Sequence, residues 1–226
     1  MILGSNKAQA SELPKGFYQN APVLVSETKQ YWPDMTSSDK LQYLAAQVEQ
    51  ETCISLKSKS CWSSKAELNT WRERGVGLGQ ITMLKDDSMD ALAGIKAAHR
   101  KELSGWGWNQ NLYDPKYQLR ALVLLDHDNY KRVVGTKDEF NHLAFTFLSY
   151  NGGAGRMLSD RKVCSVTKHC DSNVWFGNVE KTSKLPHSAV KGYSVSFFQV
   201  TRDYVQNVMK LRGGKYAPEL EKMVRV

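Results

Sequence analysis

Apolar positions recur at helical spacing in several separate stretches of this chain. Leu41, Leu44, Ala45 and Val48 follow a capping-box-like start at Thr36 and Asp39, with Ser37 or Ser38 as alternative caps, and predict a helix over 38–52. The clearest periodicity runs from Asp138 to Ser149. There Phe140, Leu143, Ala144, Phe147 and Leu148 mark one face before Asn151-Gly152-Gly153 stops the helix. A last strong helix spans about 196–212, with Phe197, Val200, Tyr204, Val208 and Leu211 on one face, and ends at Gly213-Gly214. Further helices are predicted at about 86–103 and 115–134. Residues 1–35 contain Pro14, Pro22 and Pro33 with little periodicity and read as an irregular N-terminal arm. Between Cys53 and Gln80 the chain is rich in Ser, Lys and Gly, with Gly75, Gly77 and Gly79 alternating, and reads as a loop or small β excursion. The Ser/Lys-rich stretch after Gly153 reads as a connection. The pattern is that of a mostly α domain over 36–226 carrying a small β or loop insertion at about 55–83.

Composition narrows the partners. With 226 residues, 41% of them hydrophobic, the chain can bury a substantial core. No stretch approaches the roughly 18 apolar residues that span a bilayer, so no stable membrane insertion is expected. The segment Met1 to Lys7 lacks the apolar run of about 7–15 residues in a secretory signal, so a signal was either never used or removed. The net charge of +8 favours an anionic partner: nucleic acid, acidic lipid or bacterial wall polymer. About half the surplus lies in Lys191 to Val226, where seven Lys/Arg face three Asp/Glu. No aromatic-basic motif supports nucleic acid.

The four cysteines allow three connectivities, and closeness in sequence favours Cys53–Cys61 with Cys164–Cys170, which suits an oxidising compartment. Four free thiols is the alternative. A metal site is not expected, because seven and five intervening residues exceed the spacing of zinc motifs, although His169 adjoins Cys170.

Helical geometry separates two candidate acids at the end of the 38–52 helix. With Leu44 at zero and about 100° per residue, Val48 falls near +40°, Leu41 near +60°, Glu51 near −20° and Glu49 near +140°. Glu51 therefore points with the apolar stripe, while Glu49 points away and reads as a solvated surface acid. Partial desolvation would raise the pKa of Glu51 and let it donate a proton near neutral pH. The competing reading is a carboxylate satisfied by an Arg or Lys of the following loop.

Several short motifs appear in order over about 41–210. Val48-Glu49-Gln50-Glu51-Thr52, then Gly75-Val76-Gly77-Leu78-Gly79-Gln80-Ile81-Thr82, resembles the Glu-Ser and Gly-Leu-Met-Gln motifs of soluble lytic transglycosylases. Leu112-Tyr113-Asp114-Pro115 and Ala144 to Gly153, with its Tyr150-Asn151-Gly152, are similar to that family's Asp-Pro helix and Tyr-Asn-Gly block. Thr201-Arg202-Asp203-Tyr204-Val205-Gln206-Asn207-Val208 is similar to its Thr-Arg-x-Tyr-Val-x-x-Val helix.

The resemblance implies a lysozyme-like α+β fold, a helical bundle around a saccharide cleft. It implies Glu51 as the catalytic acid/base, with Thr52 in place of Ser. It implies substrate binding by Gln80, Tyr150, Asn151 and Tyr204, with Gly77 letting its loop approach sugar. Gly79 stands where the family has Met, so an apolar contact to sugar is expected to be missing; Val200 stands where the family often has Glu. The implied activity is cleavage of the β-1,4 bond between N-acetylmuramic acid and N-acetylglucosamine in peptidoglycan glycan strands, without cofactor, by a monomer acting in the periplasm or at the cell wall. It fits a phage endolysin, a virion-associated enzyme or a bacterial enzyme. Two alternatives stand beside it. One is a hydrolysing muramidase similar to goose-type lysozymes, which carry an Asp at the position of Thr82, Asp86 and Asp87 coming later here. The other is a non-catalytic wall-binding virion protein.

Overall fold

The structure is a computed structural model that describes residues 13–189 and 194–225. It is mostly helical with one small antiparallel sheet. Helices α1 (Lys15–Tyr31), α2 (Ser38–Thr52), α4 (Pro115–Arg132), α5 (Glu139–Gly152) and α7 (Phe197–Gln206) build the main body, to which α3 (Ala91–Ala98), α6 (Ala154–Ser165) and α8 (Ala217–Val224) attach. Strands β1 (Glu67–Asn69), β2 (Glu73–Val76) and β3 (Ile81–Leu84) pair antiparallel in that order, with Leu68 opposite Gly75 and Gly75 opposite Thr82.

Helix α2 is the buried axis of the body. Its expected stripe of Leu41, Leu44, Ala45 and Val48 is inaccessible to solvent, and so are Ala46 and Gln47 on other sides. It begins at Ser37, whose side chain makes no cap bond, and the segment after α7 and helix α8 pack along it. Leu119, Leu122 and Val123 of α4, and Leu143, Ala144, Phe147 and Leu148 of α5, complete the same core. A second, smaller core joins the sheet to α3: Val76 and Ile81 meet Leu92, Ile95, Trp106 and Leu112.

Four expectations need correction. The irregular arm over 1–35 is helical from Lys15 to Tyr31; its first twelve residues lie outside the described ones. Phe17, Ala21, Leu24, Val25 and Thr28 form a buried helical stripe that outweighs the hydrogen bond lost at Pro22, and Arg120 of α4 fixes Glu27 of α1 at 2.8 Å. The connection after Gly153 contains α6. Its inward stripe of Met157, Asp160 and Cys164 includes a charged residue, so no apolar period marks it. The helix expected over 86–103 shortens to Ala91–Ala98, because Asp90 caps its start by accepting from Ala93 N–H. The last helix changes to π winding over Asn207–Arg212; the added residue per turn rotates Leu211, expected inside, to 66% exposure.

Both short-range disulfides form, Cys53–Cys61 after α2 and Cys164–Cys170 after α6, and no free cysteine is left. No described helix is long and apolar enough to cross a membrane, and among the described residues no group of His, Cys, Asp or Glu is arranged to hold a metal ion.

Candidate active site

A cleft of about 970 Å³ opens between the sheet and the helical body, and Glu51 lies in its wall. The residue occupies the last turn of α2, where the chain must leave the core. Thr52 fixes that exit: its hydroxyl donates to Val48 O at 2.6 Å and accepts from Trp62 N–H at 2.9 Å, while Cys53–Cys61 closes the same loop. Thr52 borders the cleft but is 4% exposed, and its hydroxyl serves the fold.

Tyr204 of α7 donates from its hydroxyl to Glu51 Oε1 at 2.6 Å. No described Arg or Lys forms an ion pair with Glu51; the residues that follow it supply none. Burial raises the Glu51 carboxyl from the ordinary range to about 7, and the Tyr204 hydrogen bond opposes only part of that rise. The hydroxyls of Tyr150 and Tyr204 are pushed well up by burial and by the Glu51 charge, so both remain donors. Their rings lie nearly parallel with centroids 6.4 Å apart.

The Gly-rich strand and turn face Glu51 from the sheet side. Gln80, in the left-handed region at φ 43°, folds its amide back to donate to Gly77 O at 3.0 Å and Ala66 O at 3.1 Å. Gln80 lines the cleft with its amide N–H groups already engaged by its own turn. Tyr150 donates to Gly79 O at 2.6 Å, and a Cβ on Gly79 would come within 2.7 Å of that hydroxyl. The side chain absent at Gly79 is therefore the space that Tyr150 fills. Asn151 and Gly152, at the end of α5, line the cleft beside it.

Gly77 does not line the cleft. Its φ is +80°, and a Cβ there would stand 2.1 Å from Gln118 Cδ. What approaches it closely is the Gln118 amide, which accepts from Leu78 N–H at 2.9 Å and donates to Ser64 O and Leu112 O. Gly77 thus lets α4 hold the turn in place. Glu49 is also corrected: it is buried, accepting from Arg212 at 3.0 Å, Lys215 at 2.8 Å and Tyr216 at 2.5 Å. The end of the α7 segment and α8 cover the helix face that α2 alone leaves exposed.

Sequence reasoning missed several cleft residues. Arg72, Glu67, Glu73 and Arg156 bring charges of both signs to the walls; Phe197 and Val200, expected on the inward face of the last helix, bring apolar surface to the same cleft. Glu67 is committed to Arg74 at 3.0 Å and to the Tyr113 hydroxyl. Thr82 borders the cleft and donates to Gln80 O at 2.7 Å, whereas Asp86 and Asp87 lie outside the lining in the turn after β3. Only the net charge and the β insertion hinted at these walls, because strands of three or four residues carry too few positions for a period.

Comparison with models of protein families gives no match, and comparison with curated proteins gives none either.

Proposed function

We propose that this protein is a peptidoglycan-cleaving glycosidase with a lysozyme-like fold, acting as a lytic transglycosylase with Glu51 as its single acid/base. The observation that carries this reading is a carboxyl in a cleft wall whose hydrogen-bond partner is a tyrosine rather than a cation; burial lifts its pKa to about 7. Such a group donates a proton near neutrality and takes one back once ionised. Glu51 would protonate the glycosidic oxygen after N-acetylmuramic acid, and positive charge would build on C1. Its carboxylate would then remove the proton of the C6 hydroxyl of the same sugar, whose oxygen closes onto C1 to give a 1,6-anhydro end. Water is not consumed, and Glu51 is protonated again. The resemblance of the ordered motifs supports the substrate, and the two disulfides fit an oxidising site of action such as the periplasm or the cell wall.

Glu73 favours a second reading. It lies in the cleft lining, and no described ion pair engages it, so it offers a second carboxylate that could activate water in a hydrolysing muramidase. Digestion of purified walls followed by mass spectrometry of the muropeptides separates the two: anhydro ends are expected, and reducing muramyl ends would replace transglycosylation by hydrolysis. Glu51→Gln is expected to lower wall clearing by about a hundredfold or more. Undiminished clearing by this variant would remove Glu51 from the mechanism.

A further inference from the structure

Behind Glu51 lies a group of polar side chains that the mechanism does not use. Asp126 sits on α4 among Leu119, Leu122 and Val123 and is wholly buried; neither carboxyl oxygen meets a well-aligned hydrogen-bond partner, and the side chain within reach of it is the Gln47 amide. Gln47, wholly buried on α2, also has both amide atoms unpartnered, and so is Nδ2 of Asn129, one turn after Asp126. Buried polar atoms are nearly always bonded, so five such atoms on three residues call for a physical account. Gln47 is also one helical turn before Glu51, on the same face of α2.

We propose that Asp126 is held as a neutral carboxylic acid paired with Gln47, and that this pair is a positioning device for the α2 turn that carries Glu51. A protonated acid and a primary amide satisfy each other reciprocally: the acid O–H donates to Gln47 Oε1, and Gln47 Nε2 donates to the acid carbonyl. A carboxylate can accept from Gln47 Nε2 but has no donor, so it would leave Gln47 Oε1 without a partner. The groups whose fields reach this site are Gln47 and Glu51 of α2, Tyr150 of α5 and Tyr204 of α7. None is a cation. Burial pushes Asp126 well above the carboxylate range; the Gln47 amide opposes part of that rise and the Glu51 charge adds to it. Of the two acids, Glu51 has the Tyr204 donor and the open cleft, so the single negative charge that this interior holds during turnover belongs on Glu51.

The positioning role rests on the reading of Glu51 as the acid; the protonation of Asp126 does not. Its test is the melting temperature of the whole chain and of Asp126→Asn between pH 5 and 8. A raised pKa in the folded state means that stability is full below the unfolded value and is lost as pH rises towards the folded one. Asp126→Asn, which cannot ionise, should therefore gain on the parent by about 3–5 °C per pH unit. A difference that does not change with pH overturns the neutral acid. The same comparison in a Glu51→Gln chain gives the same trend without any wall activity, so failure of the catalytic reading and failure of this one are distinguishable. Wall clearing then tests positioning: Asp126→Asn should exceed Asp126→Leu by tenfold or more with its alkaline limb where the parent has it. Equal clearing by both variants, or a limb lowered by about one pH unit or more in Asp126→Asn, overturns the proposal. If Asp126→Leu does not fold, the limb of Asp126→Asn decides.

Discussion

Replacing Tyr204 by Phe removes one hydrogen-bond donor from the site and little else. The hydroxyl lies 2.6 Å from Glu51 Oε1 and donates to it. A hydrogen bond to a charged group is worth about 1.5–3 kcal/mol. It favours the ionised form, so it holds the Glu51 pKa below the value that burial alone would set, and about 7 is the balance of the two. Without the donor, the same energy at about 1.4 kcal/mol per unit raises the Glu51 pKa by about one to two units. The alkaline limb of wall clearing should therefore move up from near pH 7 by that amount. The rate on the acid plateau should fall about ten- to a hundredfold, because Glu51 becomes a carboxylate in the transition state and has lost the group that stabilises it. Turbidity clearing of purified walls from pH 4 to 10, with thermal melting as a control for folding, measures both effects. A limb that stays in place or moves to lower pH would refute the link between the hydroxyl and the acid, even if the rate fell.

Two further outcomes test how the site is supported. Gly77→Ala places a Cβ in the left-handed region against Gln118 and should cost about 2–4 kcal/mol in urea unfolding, a loss that Gln118→Ala in the same chain partly restores; additive losses would show that the two residues do not meet. Glu49→Gln leaves Arg212 and Lys215 without their carboxylate and should lower stability by about 2–3 kcal/mol, the partners' partial exposure keeping it below the loss for a fully buried pair. A shift under about 0.5 kcal/mol would return Glu49 to the solvated role that the isolated helix suggests.

Helices whose inward faces are apolar were legible in the order of residues alone. α2 begins and ends where its stripe and the following cysteine place it, and α4 and α5 fall within a few residues of their predicted bounds. That order also placed Glu51 on the buried side of α2, because a 100° rotation per residue relates Glu51 to Leu44 without reference to any partner. The cysteine pairs followed from their separation, since short loops close at small entropic cost. Where the inward stripe is polar, this logic fails. α6 packs through Asp160, which meets Arg202 at 2.8 Å, so it shows no apolar period; α1 does carry one at Phe17, Ala21, Leu24 and Val25, which Pro22 within it masks.

What covers each remaining face depends on how the elements pack together. Glu49 is buried by residues more than 160 positions later, Gly77 is shaped by Gln118, and Gly79 by Tyr150. The juxtaposition of Asp126 and Gln47 in the interior likewise exists only once α2 and α4 are brought together. A period reports whether a side of one element turns inward. The charge state and role of a polar group depend on the partners and the solvent that the rest of the chain brings to it or shuts out, and those are set by packing between elements distant in sequence.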